Sequence, residues 1–278
     1  MSVLGPILAQ TPVGRIEDVV ARMTAIDEAL LPTDGISCFN KLYLEVTKSV
    51  LAAVGQTTFA DPAFLTRLDV AFANLFFAAL GAFEAGSPDT PHAWSPLFEA
   101  RANATIAPIQ FALAGMNAHI NRDLPVALVD IFTAAGAAPS DESPQYADFE
   151  RVNGLLAATE KQVKDQYLDG LARKLDAEFH GVDDVVATWS VAAARQAAWT
   201  NGEVLWHLRS VGPIERTYLA TLDRSVGFAS RGPRFDGQAL APRRAGPSLL
   251  GTSWTEPPGS GVRRDCRIKH RQRSAFVA

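Results

Sequence analysis

The chain is expected to be all-α: a single multi-helix bundle over residues 13–231, followed by a tail without regular structure. Three observations carry this expectation. From residue 13 to about 231 apolar residues recur at steps of three and four. No stretch alternates well enough for a sheet, and no period of 20–50 residues repeats. Two segments, 63–83 and 105–121, are nearly free of charge, as suits helices at the centre of a bundle.

The elements follow in order. Ile16, Val19, Val20, Met23, Ile26 and Leu30 mark an amphipathic helix over 15–30. Pro32, Asp34 and Gly35 end it and open a second, over 36–54, that stops at Gly55. Asp34, Asn40 and Tyr43 there read as cap and core residues. Asp61 and Pro62 supply an N-cap and a proline at the first helical position for a third helix, which runs to about Ala85. Its only charges between 63 and 83 are Arg67 and Asp69, and apolar residues cover nearly all its faces. The 105–121 segment holds no charged residue, and its Ala112, Ala114 and Gly115 let a neighbouring backbone come close. These two form the expected inner pair. Helices over 124–135, 149–179, 183–209 and 214–229 complete the bundle, with a break at Gly181.

The 278 residues carry 26 Lys plus Arg and 30 Asp plus Glu, a net charge of −4. Residues 232–278 contribute +6 of this, leaving −10 for the body. An acidic body argues against a nucleic-acid groove. The tail mixes 9 basic residues with 5 Pro and 6 Gly and shows no periodicity, the composition of a disordered arm that the fold does not need. The two cysteines, Cys38 and Cys266, cannot build a disulfide framework, which points to a reducing, cytoplasmic setting. Neither a secretory leader nor a membrane span is expected.

The most informative stretch is GMNAHINRDLP, residues 115–125. It places Asn117, His119, Asn121, Arg122 and Asp123 at the end of a helix otherwise without charge. At about 100° per residue, Asn117 and Asn121 share one face while His119 and Asp123 share nearly the opposite one. His119 and Asp123 can hold a divalent metal between them, or the carboxylate can fix the imidazole tautomer for acid–base work. Pro125 disfavours helical geometry at Leu124, so a break is expected there, with Asp123 capping the next helix and the polar side chains splayed into one pocket. Asp69 falls on a stripe that faces the core and needs a cation, a metal or a proton; His119, Arg122 and Arg195 are the candidate partners. Asn74, five residues on, adds a donor. In RQAAWTNGEVLWHLR, residues 195–209, Arg195 can stack on Trp199, and the aromatics recur at core spacing. Phosphate-loop, nucleophile-elbow and HExxH motifs are absent.

The runs FADPAFLTRLDVAFANLFFAAL, GMNAHINRDLP, AAWTNGEVLW and LDRSVGFASR resemble a bacterial family that carries only a domain-of-unknown-function label. The likeness spans about residues 15–231 and ends where the basic tail begins. It implies no activity and lends no catalytic roles. His119 with Asp123 four later and a proline soon after is also similar to the ligand helices of zinc-dependent phospholipases C, a likeness that would imply a metal. The body's four histidines are too few for a three-zinc site.

Together these readings point to an enzyme for a small, largely apolar molecule bound between the inner helices. His119 is the general base or metal ligand, Asp123 its orienter or co-ligand, and Asp69 an opposing acid. Asn117, Asn121, Arg122, Asn74 and Arg195 are the substrate-binding candidates. Metal-assisted hydrolysis and proton-transfer cyclisation both fit. The rival is a non-catalytic ligand-binding or interaction protein in which the cluster only satisfies a helix junction.

Overall fold

The computed structural model describes residues 2–9, 12–55, 59–157 and 190–231. Helix over 158–179, the break at Gly181, the helix start at Asp183 and the 232–278 tail all lie outside these residues. The described part is all-α, with no strand among its residues. Its helices are α1 (Gly5–Leu8), α2 (Ile16–Ala29), α3 (Gly35–Val54), α4 (Pro62–Glu84), α5 (Ser95–Ala100), α6 (Pro108–Ala118) and α7 (Leu124–Ala135). Helical residues 144–157 form α8, and α9 (Val191–Leu208) and α10 (Gly212–Ser230) follow. A π-helical turn, His119–Asp123, joins α6 to α7. All belong to one compact unit.

The starts of these helices were largely written in the chain. Asp34 accepts from the Ile36 N–H at 2.8 Å and Asp61 from the Phe64 N–H at 2.9 Å, with Pro62 where its missing N–H costs nothing. Gly136, at φ +63°, closes α7 in the left-handed conformation that glycine tolerates. Two elements were not expected: α1 and α5, of four and six residues, are too short to show a period. α6 begins at Pro108 rather than at Thr105, because the Gln110 side chain folds back to accept from the Ala107 N–H at 2.9 Å. α8 begins before Phe149, because the Ser143 hydroxyl accepts from the Tyr146 N–H at 3.0 Å.

The expected pairing of the two apolar helices is corrected. α6 packs chiefly along α3, while α4 lies against α7, and the two meet at the π turn. Glycines set the first contact reciprocally. A Cβ on Gly115 of α6 would run into the ring of Phe39 on α3, and one on Gly35 of α3 would sit 2.6 Å from the ring of Phe111 on α6. Rings fill the space that missing side chains leave, so the helices approach closely. α4 earns its apolar faces differently. Phe76, Phe77 and Leu80 enter one hydrophobic cluster, and Phe64, Leu65 and Leu68 enter a second. By length and composition α4 is also apolar enough to cross a membrane, the one such helix among the described residues. The seam between the two clusters is where the polar groups gather.

A methyl group at Gly115 must displace Phe39, which is 1% exposed and hemmed in by Tyr43, Phe76 and Trp94. Gly115→Ala is therefore expected to destabilise the fold by about 1–3 kcal/mol, the usual cost of overpacking. A thermal-denaturation midpoint equal to that of the parent would contradict this account of the α3–α6 contact.

Candidate functional site

Pro125 builds the centre of the site. In a regular helix its ring would clash with the Asn121 carbonyl, and it has no N–H to give. The chain does not break there. It widens by one residue, and the Leu124 N–H reaches back five positions to the His119 carbonyl. Asp123 consequently keeps helical backbone angles and caps nothing, contrary to the expectation from sequence. The π turn instead rotates both His119 and Asp123 inward, to 2% and 0% exposure.

The Asp123 carboxylate is held on both oxygens. Oδ2 accepts from Trp94 Nε1 at 3.0 Å and lies 3.1 Å from His119 Nδ1, and Oδ1 accepts from Arg122 Nη1 at 2.7 Å. Arg122 also reaches toward Asp223 at 3.8 Å, whose carboxylate accepts from the backbone N–H groups of His92 and Ala93. A carboxylate so placed accepts, so this network assigns the His119 proton to Nδ1 and leaves the lone pair on Nε2. Nε2 is buried and has no hydrogen-bond partner. Around it the ring is clamped: Phe72 stacks in parallel at 3.4 Å, and Tyr43 stands edge-on at 4.4 Å. Burial lowers the imidazole pKa and outweighs the opposing pull of Asp123, so His119 is held as the neutral base.

Beside it lies a cavity of about 100 Å³. Leu65, Leu68, Ile120, Leu124, Val152 and Leu156 form much of its wall, and its polar groups are His119, Tyr43, Asp69 and Arg195. Asp69 keeps intermediate accessibility, yet its Oδ2 is sealed and makes no hydrogen bond. Burial raises this carboxyl to about 7. The Tyr43 phenol is pushed well above its ordinary value by burial, then by the charges of Asp69 and Asp123. Buried polar atoms without partners are rare in folded proteins, and the two residues that carry them here, His119 and Asp69, both belong to the lining of one apolar cavity.

The fates of the other expected residues differ. Asp69 does reach the cavity but forms no ion pair among the described residues, because both candidate arginines are engaged elsewhere. Arg122 belongs to Asp123 and Asp223 and does not line the cavity. Asn117 and Asn121 sit on the far face, as their 100° spacing implied, so the expected splaying into one pocket does not occur. Asn117 donates to the Val226 carbonyl at 3.1 Å and to Ser230 Oγ at 2.8 Å and accepts from Asn121 at 2.9 Å, which ties α6 to α10. Asn74 clamps both backbone groups of Val13, at 3.0 and 2.9 Å. Arg195 lines the cavity but stacks on Phe149 at 3.9 Å rather than on Trp199. Trp199 is a core residue, wedged against Phe132, Tyr146 and Phe149.

A divalent metal does not fit this donor set. Nδ1 and both Asp123 oxygens are used within the network, and no group of three ligating side chains occurs among the described residues. The likeness to zinc phospholipases C therefore finds no ligand set among the described residues. Sequence reasoning missed Trp94 and Phe72 as parts of the site and took Tyr43 for a core residue. Nothing local marks Trp94, which comes from the loop before α5 and reaches Asp123 only through the fold.

The model of a family of unknown function, DUF5995, matches residues 16–232, stopping beside the Arg231 boundary where the basic tail begins. No curated protein and no solved structure matches the chain.

Proposed function

The chain belongs to DUF5995, a family of unknown function, and we propose from its own residues that it is an enzyme moving a proton on a small, largely apolar molecule. One observation carries the reading: a buried imidazole whose Nδ1 is locked by a carboxylate and whose Nε2 has no partner belongs to the lining of an apolar cavity. A residue pair of this kind is a general base with its orienter. Asp69, with its carboxyl raised to about 7, holds a proton near neutrality and is the matching acid. Nε2 takes a proton from a carbon made acidic by a neighbouring carbonyl or alkene. The Asp69 carboxyl gives one to the oxygen or carbon where charge develops, and the Tyr43 hydroxyl stands by as a second donor. The dry wall strengthens each of these interactions. Isomerisation and cyclisation belong to this class. Metal-assisted hydrolysis is the less supported alternative, because no group of three ligating side chains occurs among the described residues. A reducing, cytoplasmic setting is part of the proposal, in keeping with a chain of only two cysteines.

The test uses heavy water. Incubated in D2O with a pool of small apolar metabolites extracted from cells, the protein is expected to exchange carbon-bound hydrogen in a molecule it retains, and His119→Gln is expected not to. Nitrogen-15 NMR of the same protein should show His119 protonated on Nδ1 at neutral pH. Retention without exchange would favour a non-catalytic binding protein, and a proton on Nε2 would remove the base.

A further inference from the structure

The polar lining of the cavity falls into two sets. Tyr43, Asp69 and His119 form one group: the charge of Asp69 raises the phenol, and the charge of Asp123 acts on both the phenol and the imidazole. Arg195 is the other. It comes from α9, and no ion pair among the described residues joins it to Asp69. The guanidinium is nevertheless deep in the protein, at 8% exposure, and burial lowers it to about 10. Its contacts are neutral ones: Nε donates to Asn153 Oδ1 at 2.7 Å, Nη2 donates to the Phe149 carbonyl at 2.8 Å, and one face lies on the Phe149 ring. Glu150 attracts the cation without touching it. Among the described residues no carboxylate pairs with Arg195, although a buried charge is costly unless paired. A guanidinium has five N–H donors, and two are used. The remainder belong to a cation that lines the cavity.

We propose that the cavity takes a small apolar monocarboxylate, with its carboxylate on the Arg195 guanidinium and its hydrocarbon body along Leu65, Leu68 and Leu156 toward His119. This rests on reading the cavity as a binding site and adds the chemical class of its occupant. The cation selects the anionic head, because a carboxylate accepts from the guanidinium fork in a way that no neutral group of the same size can match. The apolar wall selects the body. Asp69 and Tyr43, which no ion pair among the described residues joins to that cation, leave the other end suited to an uncharged part of the molecule.

Calorimetric titration of the full chain with four six-carbon probes tests this: hexanoate, hexanamide, hexan-1-ol and hexylammonium. Hexanoate is expected to bind about tenfold tighter than the amide or the alcohol, the weight of one charge-assisted contact. Hexylammonium should bind weakest. In Arg195→Gln the preference for hexanoate should vanish while binding of the alcohol persists. The ranking of the four on the unaltered protein decides the matter even if that variant does not fold. Equal affinities, a tighter hexylammonium, or no binding by any of the four would overturn the proposal. Failure of the catalytic reading looks different: hexanoate would still rank first while no hydrogen exchange occurred. Exchange confined to a neutral ligand would keep that reading and discard the carboxylate.

Discussion

Asp123→Ala is expected to cost about 3–5 kcal/mol of folding stability, the penalty for removing one partner of a buried ion pair. The carboxylate is fully buried and receives the Trp94 indole N–H, the Arg122 guanidinium and the Nδ1–H of His119. Alanine would strand all three donors, and each stranded donor costs about 1–3 kcal/mol. Arg122 would retain only Asp223, at 3.8 Å. Asp123→Asn separates stability from chemistry. An amide can still accept from Arg122 or Trp94, so most of the fold energy should survive, but its NH2 facing Nδ1 moves the imidazole proton to Nε2. Urea-unfolding midpoints and the nitrogen-15 shifts of His119 read the two effects apart. The alanine variant losing less than about 1 kcal/mol would mean that Asp123 is not the anchor of this network.

The contrast between what could and could not be read beforehand follows from range. Caps and periods act over three or four residues, so Asp34, Asp61–Pro62 and the spacing of α2, α3 and α4 were legible in the chain. Even the separation of Asn117 and Asn121 from His119 and Asp123 was legible, since it follows from helical rotation alone. Pro125 was ambiguous. A proline at that position can break a helix or widen it, and the choice is made by what waits on the inner side: Trp94 from a loop, Phe72 from α4 and Tyr43 from α3. Those partners are far away in sequence, and no local pattern announces them. The same holds for Arg195. Two aromatics were within its reach in principle, and Phe149, 46 positions away, takes the stack and accepts a backbone hydrogen bond as well. A titratable group on an apolar helix face, such as Asp69, was a sound pointer to the cavity, but its want of a cation among the described residues was not foreseeable.

That want makes Asp69 the source of a pH effect with a definite sign. Its carboxyl lies near 3.8 in an unfolded chain and is raised to about 7 in the fold. Between these values the folded state holds a proton that the unfolded state has lost, so Asp69 lowers stability progressively as pH rises from about 4 to about 7. Below the lower value it costs nothing in this respect, and above the upper one the loss is complete at roughly 4 kcal/mol. Asp69→Asn keeps the shape and removes the titration. The variant should match the parent in urea unfolding near pH 4 and be more stable by that amount at pH 8. His119 works in the opposite direction. Its folded pKa is lowered, so its contribution is present above about 6.5 and fades as pH falls. Both proteins keep this histidine, and the difference between their curves isolates the carboxyl. A difference that stays flat from pH 4 to 8 would mean that Asp69 is ionised in the fold, with a cation or solvent beside it. The cavity would then lose its acid, and with it the proton-transfer reading of the site.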